Sequence, residues 1–204
     1  MKRMFFLFIF ILLIAHACQS NSNQNNSSQK EPAEQIQERS YSSNIKENTN
    51  TISNNNNVTE VLPDGILIRV YKKDRILKLY EDGQLIEEFC IALGHSPEGT
   101  KTIQGDKKTP EGKYFICTRN DKSRYTLFLG LSYPNISDAQ RGLENGDITQ
   151  EEFDEIKKAI QNKKAPNWST SLGGAVGIHG GGISNDWTFG CIALTDEDIK
   201  TLWQ

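Results

Sequence analysis

The sequence predicts a mainly β domain with a few short helices. Short apolar runs recur between turn signals from residue 66 onward, and only two stretches have the capped, periodic pattern of helices. In the 204-residue chain, residues 18–60 lack both features. We therefore expect one folded domain at residues 61–204, a typical domain size.

Seven apolar runs are candidate strands. The first three, at residues 66–71, 75–80 and 85–93, form a meander pattern in which Asp82-Gly83 is a strong hairpin signal. The remaining candidates are residues 113–118, 124–133, 175–180 and 191–194.

Two helices are predicted in the second half of the domain. In GDITQEEFDEIKKAIQNKK, Thr149 and Glu152 have the spacing of a capping box, with Ile148 and Phe153 at the flanking staple positions. A shorter helix is expected to begin at Thr195, where a weaker capping pattern precedes the last apolar residues.

The N-terminus predicts export. Residues 1–17 combine a basic start, an apolar run and small residues, which is the anatomy of a secretory signal peptide. The next residue, Cys18, follows Ala-His-Ala and resembles the cysteine of a bacterial lipobox, although Ala15 stands where leucine is usual. The resemblance implies lipidation of Cys18, and Gln19 goes with delivery to the outer membrane. An ordinary signal peptide with an incidental cysteine is the alternative.

Residues 18–60 predict a disordered tether. Asn, Ser, Gln and charged residues dominate, and apolar residues are too sparse to form a core. A flexible coil of about 40 residues has an end-to-end distance of about 35 Å. We therefore expect a periplasmic domain that is attached to the outer membrane by its lipid anchor and held away from the membrane by this tether.

The net charge limits the possible partners, and the cysteines raise the question of a disulfide. The net charge of −3 gives no basic field for nucleic acid, so no nucleic-acid partner is expected. Disulfides persist in exported proteins. Cys90 and Cys117 lie in strand-like runs and are either bridged or buried.

A glycine-rich loop separates a histidine from a cysteine in IHGGGISNDWTFGCIAL. Three interpretations of this pair are open: Cys191 is a nucleophile with His179 as its base, the two are half of a metal site, or both are packing residues. If the flanking runs are adjacent strands, the loop brings both side chains to one sheet edge, where a base can activate the thiol. A zinc site needs three or four protein ligands, and His179 and Cys191 supply two. His95 is far upstream and has no second ligand at a zinc-binding spacing beside it. We therefore expect no metal.

From about Gly65 to its end the chain resembles the YkuD-type L,D-transpeptidase catalytic domain. His179-Gly180 and Thr188-Phe189-Gly190-Cys191 match the family's His-Gly and Ser/Thr-x-Gly-Cys elements. A second family segment is matched at Gly94, Pro97, Gly99, Lys101, Gly105, Asp106, Thr109, Pro110, Gly112 and Tyr114.

Two departures place the chain near one branch of this family. Phe189 and Ala193 stand where most members carry histidine and arginine, whereas DWTFGCIAL is closer to the YafK-like branch. That branch includes peptidoglycan transpeptidases and at least one type of enzyme that instead hydrolyses the bond between peptidoglycan and its attached lipoprotein, so the resemblance leaves both reactions open.

The resemblance implies a YkuD-type β-sandwich and a peptidoglycan L,D-transpeptidase that requires no cofactor. It makes Cys191 the nucleophile, His179 the base and Gly180 the residue whose carbonyl orients the imidazole. The N–H groups of Gly190 and Cys191 would hold the oxyanion. Candidate substrate-binding residues are Thr188, Trp187 and His95.

The implied donor is a stem tetrapeptide, attacked between the L-centre of its diamino acid and the terminal D-alanine. A second stem, a protein lysine, a free amino acid or water is the acceptor, and the sequence leaves these alternatives open. The expected partners are peptidoglycan stem peptides, a wall-linked lipoprotein and the membrane, with the chain itself a monomer. A non-catalytic wall-binding lipoprotein is the competing class.

Overall fold

The structure is a computed structural model that describes residues 64–204. The predicted signal peptide at residues 1–17, the predicted lipidation site Cys18 and the predicted tether at residues 18–60 lie outside the described residues. Within the described part of the chain, no helix is long and apolar enough to cross a membrane.

The first sheet is an antiparallel meander. Its strands, β1 (Ile66–Tyr71), β2 (Ile76–Glu81) and β3 (Gln84–Cys90), pair in chain order. Asp82 and Gly83 connect β2 to β3 with φ angles of 47° and 79°. Two consecutive left-handed residues are what a type I′ hairpin turn requires. The predicted hairpin is therefore confirmed.

The second sheet has four strands and ends in a parallel pair. β4 (Ile116–Ser123) pairs with β5 (Thr126–Leu131), and β5 pairs with β6 (Gly177–His179), both antiparallel. β7 (Ile192–Ala193) then joins β6 in parallel. The glycine-rich loop between His179 and Cys191 thus returns the chain alongside β6.

One hydrophobic core is shared by the two sheets. β2 and β3 contribute Leu77 and Phe89, while β5, β6 and β7 contribute Leu129, Ile178 and Ile192. Because burial of apolar surface is the main favourable term in folding, these shared contacts hold one sheet against the other. The predicted class, mainly β with a few short helices, is confirmed.

Three helices complete the domain: α1 (Ile136–Glu144), α2 (Gln150–Gln161) and α3 (Asp196–Trp203). The predicted capping box of α2 is present, because the Thr149 side chain and Glu152 exchange hydrogen bonds. The predicted C-terminal helix is also present.

α1 is a helix that the apolar pattern does not predict. Its buried residues are Asp138, Ala139 and Gly142, so no repeat of large apolar side chains marks it. Its sequence signal is the capping box formed by Asn135 and Asp138.

Free thiols are found at Cys117 and Cys191. A disulfide between Cys90 and Cys117, one of the two alternatives left by the sequence, is therefore not formed. Burial raises the pKa of the Cys117 thiol, which donates to the Gly130 carbonyl at 3.4 Å.

Contacts from the first sheet anchor the segment around Cys191. Ala92, just after β3, exchanges backbone hydrogen bonds of 2.8 and 2.9 Å with Ala193. The Asp186 carboxylate in the glycine-rich loop accepts from Leu93 N–H at 2.8 Å and pairs with Arg75 at 2.7 Å. These bonds fix the middle of the loop after His179 and the strand that follows Cys191.

Candidate active site

The parallel pairing of β6 and β7 places His179 and Cys191 on one face of the sheet. Ile178 lies opposite Ile192, and His179 lies opposite Ala193. By this register Cys191, which immediately precedes β7, lies opposite Gly177. Side chains alternate along strands, so the isoleucines enter the core while the thiol and the imidazole share the other face. The structure therefore places the predicted pair on the same face of the sheet.

The His179 ring is held by one hydrogen bond and two aromatic rings. Its Nδ1 lies 2.6 Å from the Gly180 carbonyl oxygen. Because a carbonyl only accepts, Nδ1 carries the proton and Nε2 is left as the basic nitrogen. Tyr125 stacks on the ring at 4.6 Å, and Trp187 meets its edge at 5.5 Å.

Burial keeps the His179 imidazole neutral. The residue is 2% exposed, and desolvation lowers its pKa below the ordinary 6.5. The Gly180 carbonyl opposes this effect, whereas the positive charge of Arg124 adds to it. A neutral imidazole with a free Nε2 is the protonation state that can accept a proton.

The Cys191 thiol is half-buried and also neutral at rest. Burial raises its pKa, while the Gly177 N–H and the charge of Lys101 act in the opposite direction. Its Sγ lies 3.7 Å from the Ala175 carbonyl oxygen, an acceptor suited to the protonated thiol. The arrangement is thus a neutral thiol and a neutral imidazole on one face of the sheet.

A buried threonine organises the turn before Cys191. The Thr188 hydroxyl donates to the Cys191 carbonyl at 2.7 Å and accepts from the Gly190 N–H at 3.1 Å. Thr188 is 3% exposed, so its side chain supports the loop. The Thr188 hydroxyl is used inside the protein, and the expectation that Thr188 also contacts substrate stays a prediction.

Gly190 needs both its conformation and its missing side chain. Its φ is 133°, and a Cβ atom there would lie 2.7 Å from the Lys108 carbonyl oxygen. Its N–H donates to the Thr188 hydroxyl at 3.1 Å, so it would have to leave that partner to hold an oxyanion. The oxyanion roles expected for the Gly190 and Cys191 N–H groups stay predictions, and the Cys191 N–H is the stronger candidate.

The other two predicted substrate-binding residues lie on different sides of the pair. Trp187 contacts His179 and donates its indole N–H to the Gly182 carbonyl at 3.0 Å, which forms one wall of the site. His95 is exposed and meets the edge of Phe189 at 6.2 Å. Phe189 is 72% exposed, so these two rings form an outer rim beside Cys191.

Residues that sequence reasoning did not assign also contribute to the site. Tyr125, which stacks on His179, belongs to a run predicted as strand but lies in the β4–β5 turn. Lys101 is 2% exposed, and its ammonium pairs with Asp106 at 2.9 Å and donates to the Ile103 carbonyl at 2.8 Å. Lys101 and Asp106 were visible only as motif positions without a role.

The Lys101–Asp106 pair is buried beside the turn that carries Cys191. Partial burial pushes the Asp106 pKa upward, but hydrogen bonds from Thr102, Lys101 and Lys108 outweigh it and hold that pKa below its ordinary value. The Asp106 carboxylate therefore stays ionised and pairs with the Lys101 ammonium. A fixed positive charge next to a thiol stabilises its thiolate.

A cavity of about 500 Å³ opens elsewhere in the domain. Ile178 and Ile192 line it from the core-facing side of β6 and β7, so it lies on the opposite face from His179 and Cys191. Within residues 64–204, no group of three or more His, Cys, Asp or Glu side chains is placed to hold a metal ion.

A thiol and an imidazole on one sheet face, with the histidine oriented by a carbonyl, define the kind of site used in cysteine acyl transfer. The family model described as YkuD, L,D-transpeptidase catalytic domain, matches residues 65–204, and the chain belongs to that family.

Two curated relatives are similar to this chain. The protein named "Putative L,D-transpeptidase YafK" in Escherichia coli strain K12 is 26% identical over 151 residues, which is 71% of this chain and 48% of the relative. Its counterpart in Escherichia coli O157:H7 has the same identity and coverage. The chain thus spans about half the length of the curated relatives it matches.

A solved structure also matches. The L,D-transpeptidase from Xylanimonas cellulosilytica is 13% identical with a TM-score of 0.40, over 70% of this chain and 55% of that one.

Removing the Lys101 charge should make Cys191 harder to ionise. In Lys101→Met we expect the pH midpoint for alkylation of Cys191 by iodoacetamide to move higher, because the thiolate loses a nearby cation. Peptide mass spectrometry separates Cys191 from the free thiol of Cys117.

The control for this prediction is Lys113→Met, which removes an exposed lysine. Because a lone buried Asp106 can unfold the protein, the double variant Lys101→Met/Asp106→Asn tests the same point with both charges removed. An unchanged alkylation midpoint in both Lys101 variants would contradict the electrostatic role.

Proposed function

We propose that this chain is a peptidoglycan L,D-transpeptidase with Cys191 as nucleophile and His179 as base. The observation that carries the proposal is that β6 and β7 present two groups on one face: the half-buried Cys191 thiol and an imidazole whose Nδ1 is bonded to the Gly180 carbonyl. Membership of the YkuD family supports the reaction class.

The donor in this proposal is a stem tetrapeptide. Cys191 Sγ attacks the carbonyl between the L-centre of the diamino acid and the terminal D-alanine, and its proton passes to His179 Nε2. The C–S bond forms, the C–N bond breaks, and His179 returns the proton to the leaving amine. Free D-alanine and a thioester are the products of this first half-reaction.

The neutral resting pair suits this sequence of proton transfers. The buried thiol has a raised pKa and the buried imidazole a lowered one, so the proton moves only as the C–S bond forms. Keeping the thiol protonated between turnovers also limits its oxidation, which requires thiolate character. The Cys191 N–H is placed to stabilise the charge that develops on the carbonyl oxygen.

The second half-reaction transfers the acyl group to an amine. His179, again neutral, takes a proton from the incoming amine as the amine attacks the thioester. The C–N bond forms, the C–S bond breaks, and His179 gives the proton to the departing Cys191 Sγ, which restores the neutral thiol. We propose a second stem as acceptor, which gives a cross-link during cell-wall remodelling. Water at the same position would give hydrolysis, a protein lysine an anchored lipoprotein, and a free amino acid exchange.

Purified muropeptides test the proposal. We expect the full chain to form dimeric products, and Cys191→Ala to form none. Loss of a general base typically costs about 10²- to 10⁴-fold, so His179→Gln should reduce kcat by that order. Product masses and rates by liquid chromatography with mass spectrometry are the readout.

Cys117→Ser is the matched control, because it removes the other free thiol described and should retain activity. Release of D-alanine without dimers, or release of a wall-bound peptide, would show that the enzyme hydrolyses its substrate and would contradict the transfer reaction. Full activity in Cys191→Ala would contradict the role of Cys191 as nucleophile. Unchanged muropeptides in the presence of folded protein would contradict the enzymatic proposal and favour a wall-binding lipoprotein.

We further propose that the protein is exported, lipidated at Cys18 and held at the outer membrane, with residues 18–60 as its tether. The support is the sequence pattern alone. A tether of about 40 residues gives the domain about 35 Å of reach toward the wall.

Cell fractionation tests the anchor. In a Gram-negative host the wild type should label with a palmitate analogue and sediment with outer membranes, while Cys18→Ser should lose both properties. Gln19→Asp should move the labelled protein to the inner membrane. A wild type that is unlabelled and soluble in the periplasm would indicate an ordinary signal peptide.

A further inference from the structure

Arg124 lies at the His179 end of the site. It occupies the turn between β4 and β5, and its guanidinium carbon lies 4.7 Å from the ring centroid of Tyr125. Tyr125 in turn stacks on His179 at 4.6 Å, with only 21° between the two planes. An exposed cation, a phenol and the imidazole therefore form one continuous stack.

The Arg124 side chain is held by a hydrogen bond, but no ion pair within the described residues engages its charge. Its Nη2 donates to the Tyr125 hydroxyl at 2.7 Å, and no carboxylate among residues 64–204 pairs with it. Arg75 and Arg141, by contrast, bond Asp186 at 2.7 Å and Asp138 at 2.8 Å. A guanidinium has five N–H donors, so Arg124 presents most of its donors to solvent.

The proposed reaction puts a carboxylate on this side of the site. His179 gives its proton to the amine of the departing D-amino acid, so that amine must lie against the imidazole. The carboxylate of an α-amino acid is two bonds from its amine. It therefore lies close to the ring stack that ends in Arg124, and a planar guanidinium matches a carboxylate with two parallel hydrogen bonds.

We propose that Arg124 binds the C-terminal carboxylate of the donor peptide, which belongs to the D-amino acid that leaves. This assignment rests on the proposed function. It defines a subsite for an α-carboxylate next to the base, and the same subsite would receive a free D-amino acid entering in an exchange reaction.

Carboxylate binding at Arg124 also has a consequence for the base. The Arg124 charge contributes to the lowered pKa of His179. A bound carboxylate offsets that charge, so His179 becomes more basic when the donor is seated and less basic again once the D-amino acid has left.

Two donor peptides test this subsite. The first is a stem tetrapeptide that ends in D-alanine, and the second is identical but ends in D-alaninamide. Affinity is measured with full-chain Cys191→Ala, and kcat/KM with full-chain protein that retains Cys191. We expect the carboxylate donor to be preferred by about tenfold or more, and Arg124→Gln to remove that preference.

Arg124→Lys and Lys122→Gln sharpen the comparison. Lysine keeps the positive charge but cannot form two parallel hydrogen bonds to a carboxylate, so we expect Arg124→Lys to retain only part of the preference for the carboxylate donor. Lys122 is an exposed cation on the same hairpin, and removing it should leave the preference unchanged. If Arg124 only supports Tyr125 and His179, Arg124→Gln will weaken both donors equally, which would overturn the proposal.

The two readouts separate this inference from the proposed function. Turnover without any preference for the carboxylate donor leaves the transpeptidase proposal intact and overturns the Arg124 subsite. Preferential binding that depends on Arg124, without turnover by the protein that retains Cys191, supports the subsite and overturns the catalytic proposal. Absence of both binding and turnover contradicts both.

Discussion

The parallel pairing of β6 and β7 sets the relation between His179 and Cys191. The strands have only three and two residues, so their own ladder bonds are few. Neighbouring segments supply the rest: Ala193 pairs with Ala92, and the Gly180 N–H donates to the Tyr125 carbonyl at 3.0 Å. The site thus depends on the first sheet and the β4–β5 turn as well as on its own two strands.

Once that pairing is fixed, the electrostatics follow from burial. The imidazole loses solvent on one face to Tyr125 and on its edge to Trp187, and its remaining orientation is set by the Gly180 carbonyl. The thiol is half-buried with Lys101 as the nearby cation. Burial favours the neutral form of both groups. The Arg124 charge lowers the His179 pKa further, whereas the Lys101 charge partly offsets the rise in the Cys191 pKa.

The sequence allowed the strands, the Asp82-Gly83 turn and the capped helix α2 to be predicted, because each has a local signature. His179 and Cys191 were predicted from two glycine-containing elements, and the structure brings them to one sheet face. Their roles come from resemblance rather than from spacing alone.

What escaped prediction depends partly on contacts distant in sequence and partly on local side-chain hydrogen bonds. Lys101 is far from Cys191 along the chain, and nothing local shows that its ammonium is buried beside the Gly190 turn. Tyr125 lies in an apolar run and was indistinguishable from a strand residue. The commitment of the Gly190 N–H to Thr188 is a side-chain hydrogen bond, which no residue pattern displays.

The state of the His179 ring is the most direct test of this account. Nitrogen NMR of the histidine-labelled protein can report it, with His179→Gln assigning its signals among the three histidines of the chain. We predict a neutral ring at pH 7 with the proton on Nδ1, and a protonation midpoint below the ordinary 6.5. A proton on Nε2, or an imidazolium that persists at pH 7 and disappears in Cys191→Ala, would contradict the neutral pair.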